Sequence, residues 1–116
     1  MDIQTSIRTC FQKYADFSGR AQRSEFWWFA LFSFVTSLIL QAVDLAIGLP
    51  ILGSLFALAV LLPSIAVGVR RLHDRDMAGW WYLLIFVPLV GALILLVIFC
   101  LKGTDGPNRF GPDPLA

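Results

Sequence analysis

Val69-Arg-Arg-Leu-His-Asp-Arg-Asp-Met-Ala-Gly-Trp-Trp81 is the densest polar stretch of the chain, and long apolar runs flank it on both sides. It holds the single histidine, His73, with three arginines, two aspartates and two of the four tryptophans. A polar island between runs of that length reads as a loop joining membrane spans, because a bilayer core of about 30 Å needs roughly twenty apolar residues in a helix. The composition agrees. Hydrophobic residues make up 58% of the 116 and charged residues 15%, with a mean hydropathy of +0.75. A soluble domain averages about 45–50% apolar and about 25% charged. The expected class is an all-α integral membrane protein, one domain in length.

Working back from the island, residues 52–69 form the second expected span, with Pro63 and Ser64 inside it. Proline removes a backbone donor and bends a helix, so a kink is expected there. Gly48-Leu-Pro-Ile-Leu-Gly53 is a tight connection without Lys or Arg. Residues 26–47 form the first span, entered through Phe26-Trp27-Trp28-Phe29. Tryptophans gather at membrane–water boundaries. Gln41 and Asp44 fall near the far end of that span, about one turn from the surface, where a carboxylate reaches water. Residues 1–17 read as an amphipathic helix: Ile3, Ile7, Cys10, Phe11, Tyr14 and Phe17 recur at three- and four-residue steps. The expectation is a helix lying in the interface, the alternative being a helix packed on its own protein. The first twenty residues lack the central apolar stretch of a signal peptide.

Working forward, the polar loop is assigned to residues 70–79 and a third span to residues 80–101. Residues 102–116 form a Gly-, Pro- and Asp-rich tail with no regular element. Pro88 and Gly91 near the middle of the third run allow another path, a re-entrant hairpin that returns the tail to its starting side. A bare turn in lipid leaves backbone groups unsatisfied, so the straight span is the expectation.

Cations set the orientation. Residues 1–25 hold four, the island three, the 44–53 connection none and the tail two. The positive-inside rule puts the N-terminus and the island in the cytoplasm. Trp27, Trp28, Trp80 and Trp81 then share one interfacial belt.

Three pieces stand in order with spans between them: Phe17-Ser-Gly-Arg-Ala-Gln-Arg-Ser-Glu-Phe-Trp27, Arg70-Arg-Leu-His-Asp-Arg-Asp-Met-Ala-Gly-Trp80 and Gly103-Thr-Asp-Gly-Pro-Asn-Arg-Phe-Gly-Pro-Asp-Pro114. Together they resemble the YhaH/YhaI-like family of small bacterial inner-membrane proteins, catalogued as domain of unknown function 805. The resemblance covers residues 14–114. It implies a bacterial inner membrane and no known activity, so it transfers no catalytic residue. Where that family often has Ser before the Gly-Trp of the island, this chain has Ala78.

The charges exclude some classes. A net charge of +1 offers no field for nucleic acid. One histidine and two separated cysteines, Cys10 and Cys100, make no metal-ligand pattern. No nucleophile-elbow pattern surrounds Ser18, Ser24 or Ser64. No catalytic residue, metal or cofactor is expected. The preferred use of the polar residues is an interface latch or headgroup-binding set: Arg20, Arg23, Glu25, Arg70, Arg71, His73 and Asp74. In it Glu25 pairs with Arg70 or Arg71, and Asp74 with Arg20 or Arg23. Asn108, Arg109 and Asp113 form a tail motif. The expected partners are membrane lipids with anionic headgroups, a second copy of the chain, or a larger membrane complex. The expected role is a non-enzymatic scaffold, accessory or lipid-associated protein. The other reading is a subunit of a small oligomeric channel or transporter, with Gln41, Asp44 and the Pro63–Ser64 kink as its candidates.

Overall fold

The computed structural model describes residues 2–115, and the regular elements among them are all helical. The first helix, α1, covers Ile3–Gln12. Asp2 caps it, its Oδ1 accepting from the Thr5 N–H at 2.7 Å. The helix stops five residues before the expected Phe17. Asp16 takes both the N–H and the hydroxyl of Ser18, a local bond that competes with helix. The following Gly19 sits at φ +81, in the left-handed region. α1 buries Ser6 and Cys10 against the rest of the chain, and the Phe11 ring packs edge-on against Phe29 and Phe32.

α2 covers Arg23–Ile47 and α3 covers Leu52–Asp74. Both are long and apolar enough to cross a membrane. Gly48 ends α2 at φ +76, and the N–H groups of Gly48 and Leu49 both close on the Asp44 carbonyl. The Asp44 side chain caps the next helix. Its two oxygens accept from Leu52 N (3.0 Å) and Gly53 N (2.8 Å), donors that no residue inside α3 can satisfy. The carboxylate expected to look toward water is therefore buried at the α2–α3 corner.

The polar island is not all loop. α3 runs on through Arg70-Arg71-Leu72-His73-Asp74, so the loop assigned to 70–79 shrinks to 75–78. Cations suit the last turn of a helix, where carbonyls are unpaired, and Arg71 pairs with Asp74 one turn on.

The third apolar run is not one helix. Residues Gly79–Phe86 form a 3-10 helix and Val90–Cys100 form α4. At about 2.0 and 1.5 Å per residue each arm is about 16 Å long, half a bilayer core. The straight span expected over residues 80–101 is replaced by a hairpin whose ends lie at the same end of the bundle. Pro88 has no N–H to continue a helix. Leu89 turns the chain at φ 62, ψ −59, and the Val90 N–H closes a three-residue turn on the Pro88 carbonyl at 2.6 Å. Gly91 makes the turn tight: a Cβ there would overlap the Leu84 carbonyl. The turn's own bonds answer much of the backbone objection that favoured a straight span: Val87 donates to the Leu84 carbonyl, Pro88 has no N–H, and the Val87, Pro88 and Leu89 carbonyls accept from Gly91, Val90 and Leu93.

The buried residues crowd one end. One cluster joins Cys10, Ala21, Phe29, Val60 and Val67; the other joins Leu72, Leu95 and Phe99. The far end of α2 and α3 contributes Asp44 to the buried set, at the corner just described.

Candidate functional site

At the crowded end the chain crosses itself three times: before α2, after α3 and after α4. Ala21 donates its N–H to the Arg70 carbonyl (3.0 Å), and Thr104 donates to the Asp74 carbonyl (2.6 Å). These bonds hold the Ser18–Trp28 stretch and the tail against the end of α3.

Asp74 is the centre. Its Oδ1 lies 2.9 Å from Arg20 Nε, and its Oδ2 accepts from Arg71 Nη1. All three side chains are buried. Arg20 also donates to three tail carbonyls: Gly106 (2.7 Å), Gly111 (3.3 Å) and Thr104 (2.6 Å). Arg71 reaches the carbonyls of Leu101 and, at 3.4 Å, Phe99. Gly103 passes so close to Asp74 that any Cβ would strike the carboxylate. One bidentate carboxylate thus orients two guanidiniums, and their remaining N–H groups reach main-chain oxygens, those of the tail for Arg20 and those at the end of α4 for Arg71.

Glu25 takes Arg70 instead, in a second buried pair. Arg70 is fully enclosed, and among the described residues its Nε and Nη2 have no hydrogen-bond partner. At this end of the bundle the buried groups are therefore three guanidiniums and two carboxylates, and the carbonyls around Arg20 and Arg71 answer part of the excess positive charge. Cys10 on α1 lies beside this pair, and burial pushes its thiol up to about 12.

His73 is held at its edge and on one face. Its Nδ1 donates to the Gly19 carbonyl at 2.9 Å, since a carbonyl can only accept. The Phe110 ring stacks on the imidazole at 4.0 Å and 2°. Asn108 donates its amide to the His73 carbonyl at 2.9 Å. Arg109 lies over Phe110 and pairs with Asp76 in solvent.

Two expected members stand apart. Arg23 is exposed and donates to the Cys100 carbonyl at 3.3 Å, not to Asp74. Asp113 stays within the tail, accepting from Gly106 N and Leu115 N. These two N–H groups, Leu115 first, hold its carboxyl below the usual carboxylate range. Sequence reasoning missed the carbonyls of Thr104, Gly106 and Gly111 and the Phe110 ring. Main-chain acceptors leave no trace in side-chain patterns; the glycines that let the tail approach are the only signal.

The arrangement binds its own chain. Among the described residues no three His, Cys, Asp or Glu side chains converge as a metal would need.

A family model described as "Protein of unknown function (DUF805)" matches residues 14–112. The chain belongs to that family. The matched span includes Arg20, Asp74, Asn108 and Gly111, and so covers the three crossings of the junction. Among its DUF805 relatives is the "Inner membrane protein YhaI" of Escherichia coli (strain K12), 49% identical over 105 residues and 89% of each chain. The "Inner membrane protein YhaH" of the same strain is 42% identical over 109 residues, covering 89% of this chain and 90% of that one. A third relative there, the "Uncharacterized protein YiiR", is 32% identical over 124 residues, 84% of each chain. No solved structure matches the chain.

Proposed function

We propose that this chain is a non-enzymatic, multi-pass inner-membrane protein whose polar motifs form a latch at the cytoplasmic surface. α2 and α3 cross the bilayer, the 79–100 hairpin enters half of it, and N-terminus, island and tail share the cytoplasmic side. The latch fixes a platform for lipid headgroups and membrane partners. The observation that carries this reading is the Arg20–Asp74–Arg71 triad closed by tail carbonyls. Its charged groups are directed at the protein's own chain.

Of the cations the sequence favoured for headgroups, Arg23 keeps that role, and the others that take it are different. Arg70 and Arg71 are enclosed and do not reach phosphates. Arg8, Arg23, Lys102 and Arg109 are exposed and supply the juxtamembrane charge that attracts anionic lipid, about 1 kcal/mol each. The channel reading loses its first candidate, because both Asp44 oxygens already cap α3.

Two measurements test this. A fluorescent reporter fused after residue 116 is expected to light up in the cytoplasm, while a reporter active only in the periplasm stays silent; the reverse pattern refutes the re-entrant path. Anionic lipid co-purifying with the protein is expected to fall several-fold in the Arg23→Ala, Lys102→Ala double variant. Unchanged lipid content refutes the headgroup role. Solute flux in liposomes that vanishes on Asp44→Ala would establish the channel reading in its place.

A further inference from the structure

The two halves of this molecule differ in thickness. Near the junction five helical elements pack together: α1, the start of α2, the end of α3, the 3-10 helix and the end of α4. Ser6 of α1 donates to the Ser24 carbonyl at 3.4 Å, and the Phe11 ring meets Phe29 and Phe32 in the first half of α2. The hairpin also stops halfway. Its last helical residue before the turn, Phe86, flanks the same recess as Leu61, which lies about 20 Å along α3 from Asp74. Beyond that level, among the described residues, α2 and α3 continue alone to the Asp44 corner.

We infer that the protein is a wedge that senses membrane curvature, favouring a bilayer whose junction-side leaflet is convex. The inference rests on the reading that α2 and α3 span the membrane. A helix with its side chains is about 10–12 Å across. Four helical segments therefore displace about twice the lipid cross-section in one leaflet that two displace in the other. α1 adds to the broad side: Ile3, Phe11, Tyr14 and Phe17 remain exposed on it and next to it, the apolar surface by which interfacial helices enter a headgroup layer in a curvature-dependent way. A flat bilayer must stretch on one face to take such a body, whereas a convex leaflet already has that room. With the junction in the cytoplasm, the favoured place is membrane bulging toward the cytoplasm.

The two lysines provide a readout. Lys13 and Lys102 are the whole set in the chain, and both lie at the junction end, where α1 finishes and α4 gives way to the tail. Full-length protein is reconstituted into small sonicated and large extruded vesicles of one lipid composition. A membrane-impermeant amine reagent then labels those lysines only where the junction faces outward, and peptide mass spectrometry gives the fraction. The outward fraction is expected to exceed the inward several-fold in small vesicles, whose outer leaflet is convex, and to fall toward parity in large ones. Equal ratios in both, or an inward bias in the small vesicles, overturns the wedge. Alkaline carbonate extraction of the same vesicles separates the two failures. Protein that stays with lipid but shows no bias refutes the wedge alone; protein that leaves refutes the spanning reading and the wedge with it.

Discussion

Arg20 and Asp74 lie 54 residues apart in the chain, and the guanidinium of one meets the carboxylate of the other at 2.9 Å inside the protein. The contact joins the stretch before α2 to the end of α3. The other Arg20 nitrogens extend it to the tail through Gly106 and Thr104. One side chain thus connects the three sequence motifs, and each expectation below tests a part of that connection.

Asp74→Asn removes the shared counterion from Arg20 and Arg71 without changing the side chain's size. Two guanidiniums are then left buried beside a neutral amide. Breaking a buried pair in this way costs about 3–5 kcal/mol. Thermal unfolding in detergent is expected to show that loss, and trypsin is expected to cut faster at Lys102 and Arg109 as the tail comes free. A variant as stable as the parent would show that the triad contributes nothing net.

Gly91→Ala tests the hairpin. A Cβ at that position overlaps the Leu84 carbonyl, a backbone atom that cannot rotate away. The two arms must separate, at a cost of about 3 kcal/mol by the usual scale of overpacking. Were residues 80–101 a straight helix, alanine would stabilise it by roughly 1 kcal/mol relative to glycine. The sign of the change in unfolding temperature therefore distinguishes the two paths.

The two thiols are expected to differ in reactivity. Cys10 is fully buried, and its thiol is pushed up to about 12, chiefly by burial and then by the Glu25 carboxylate. The thiolate is the reactive form. Cys100 is exposed. A maleimide applied to the folded protein in detergent should add one label, at Cys100, and a second only after denaturation. Rapid double labelling of native protein would mean that α1 does not seat on the bundle.

Asp113 gives the tail a pH dependence. Its carboxyl is held below the usual range by the N–H groups of Leu115 and Gly106. A carboxylate stabilised in this sense contributes fully above its unfolded pKa, and the contribution disappears as the pH falls through its folded value. The difference in unfolding temperature between the parent and Asp113→Asn should be constant at neutral pH and vanish in acid. A difference that persists in strong acid would assign the effect to something other than charge.

Much of the molecule is legible in its residues. Hydropathy and length mark the two long helices, since burying or dissolving about twenty apolar side chains in lipid outweighs local preference. The three motifs are visible as isolated polar clusters, and Glu25, Arg70, Arg71, His73 and Asp74 can be named from them. The end of α3 is less clear, because Arg70-Arg71 resembles a membrane boundary although the helix continues for another turn. The expected orientation rests on counting cations alone.

The third apolar run and the tail are where tertiary structure decides. Hydropathy reports what a side chain prefers on average and is blind to a backbone turn. A uniformly apolar run of this length satisfies a straight span and a hairpin equally well. What selects the hairpin is conformational: Pro88 without a donor, Leu89 at positive φ and Gly91 seated against Leu84. Once the run turns back, the tail reaches the junction, and the carbonyls of Thr104, Gly106 and Gly111 become acceptors for Arg20. Every residue carries such a carbonyl, so composition cannot mark which ones will be used. Their positions follow from the path of the chain, and that path exists only in the folded protein.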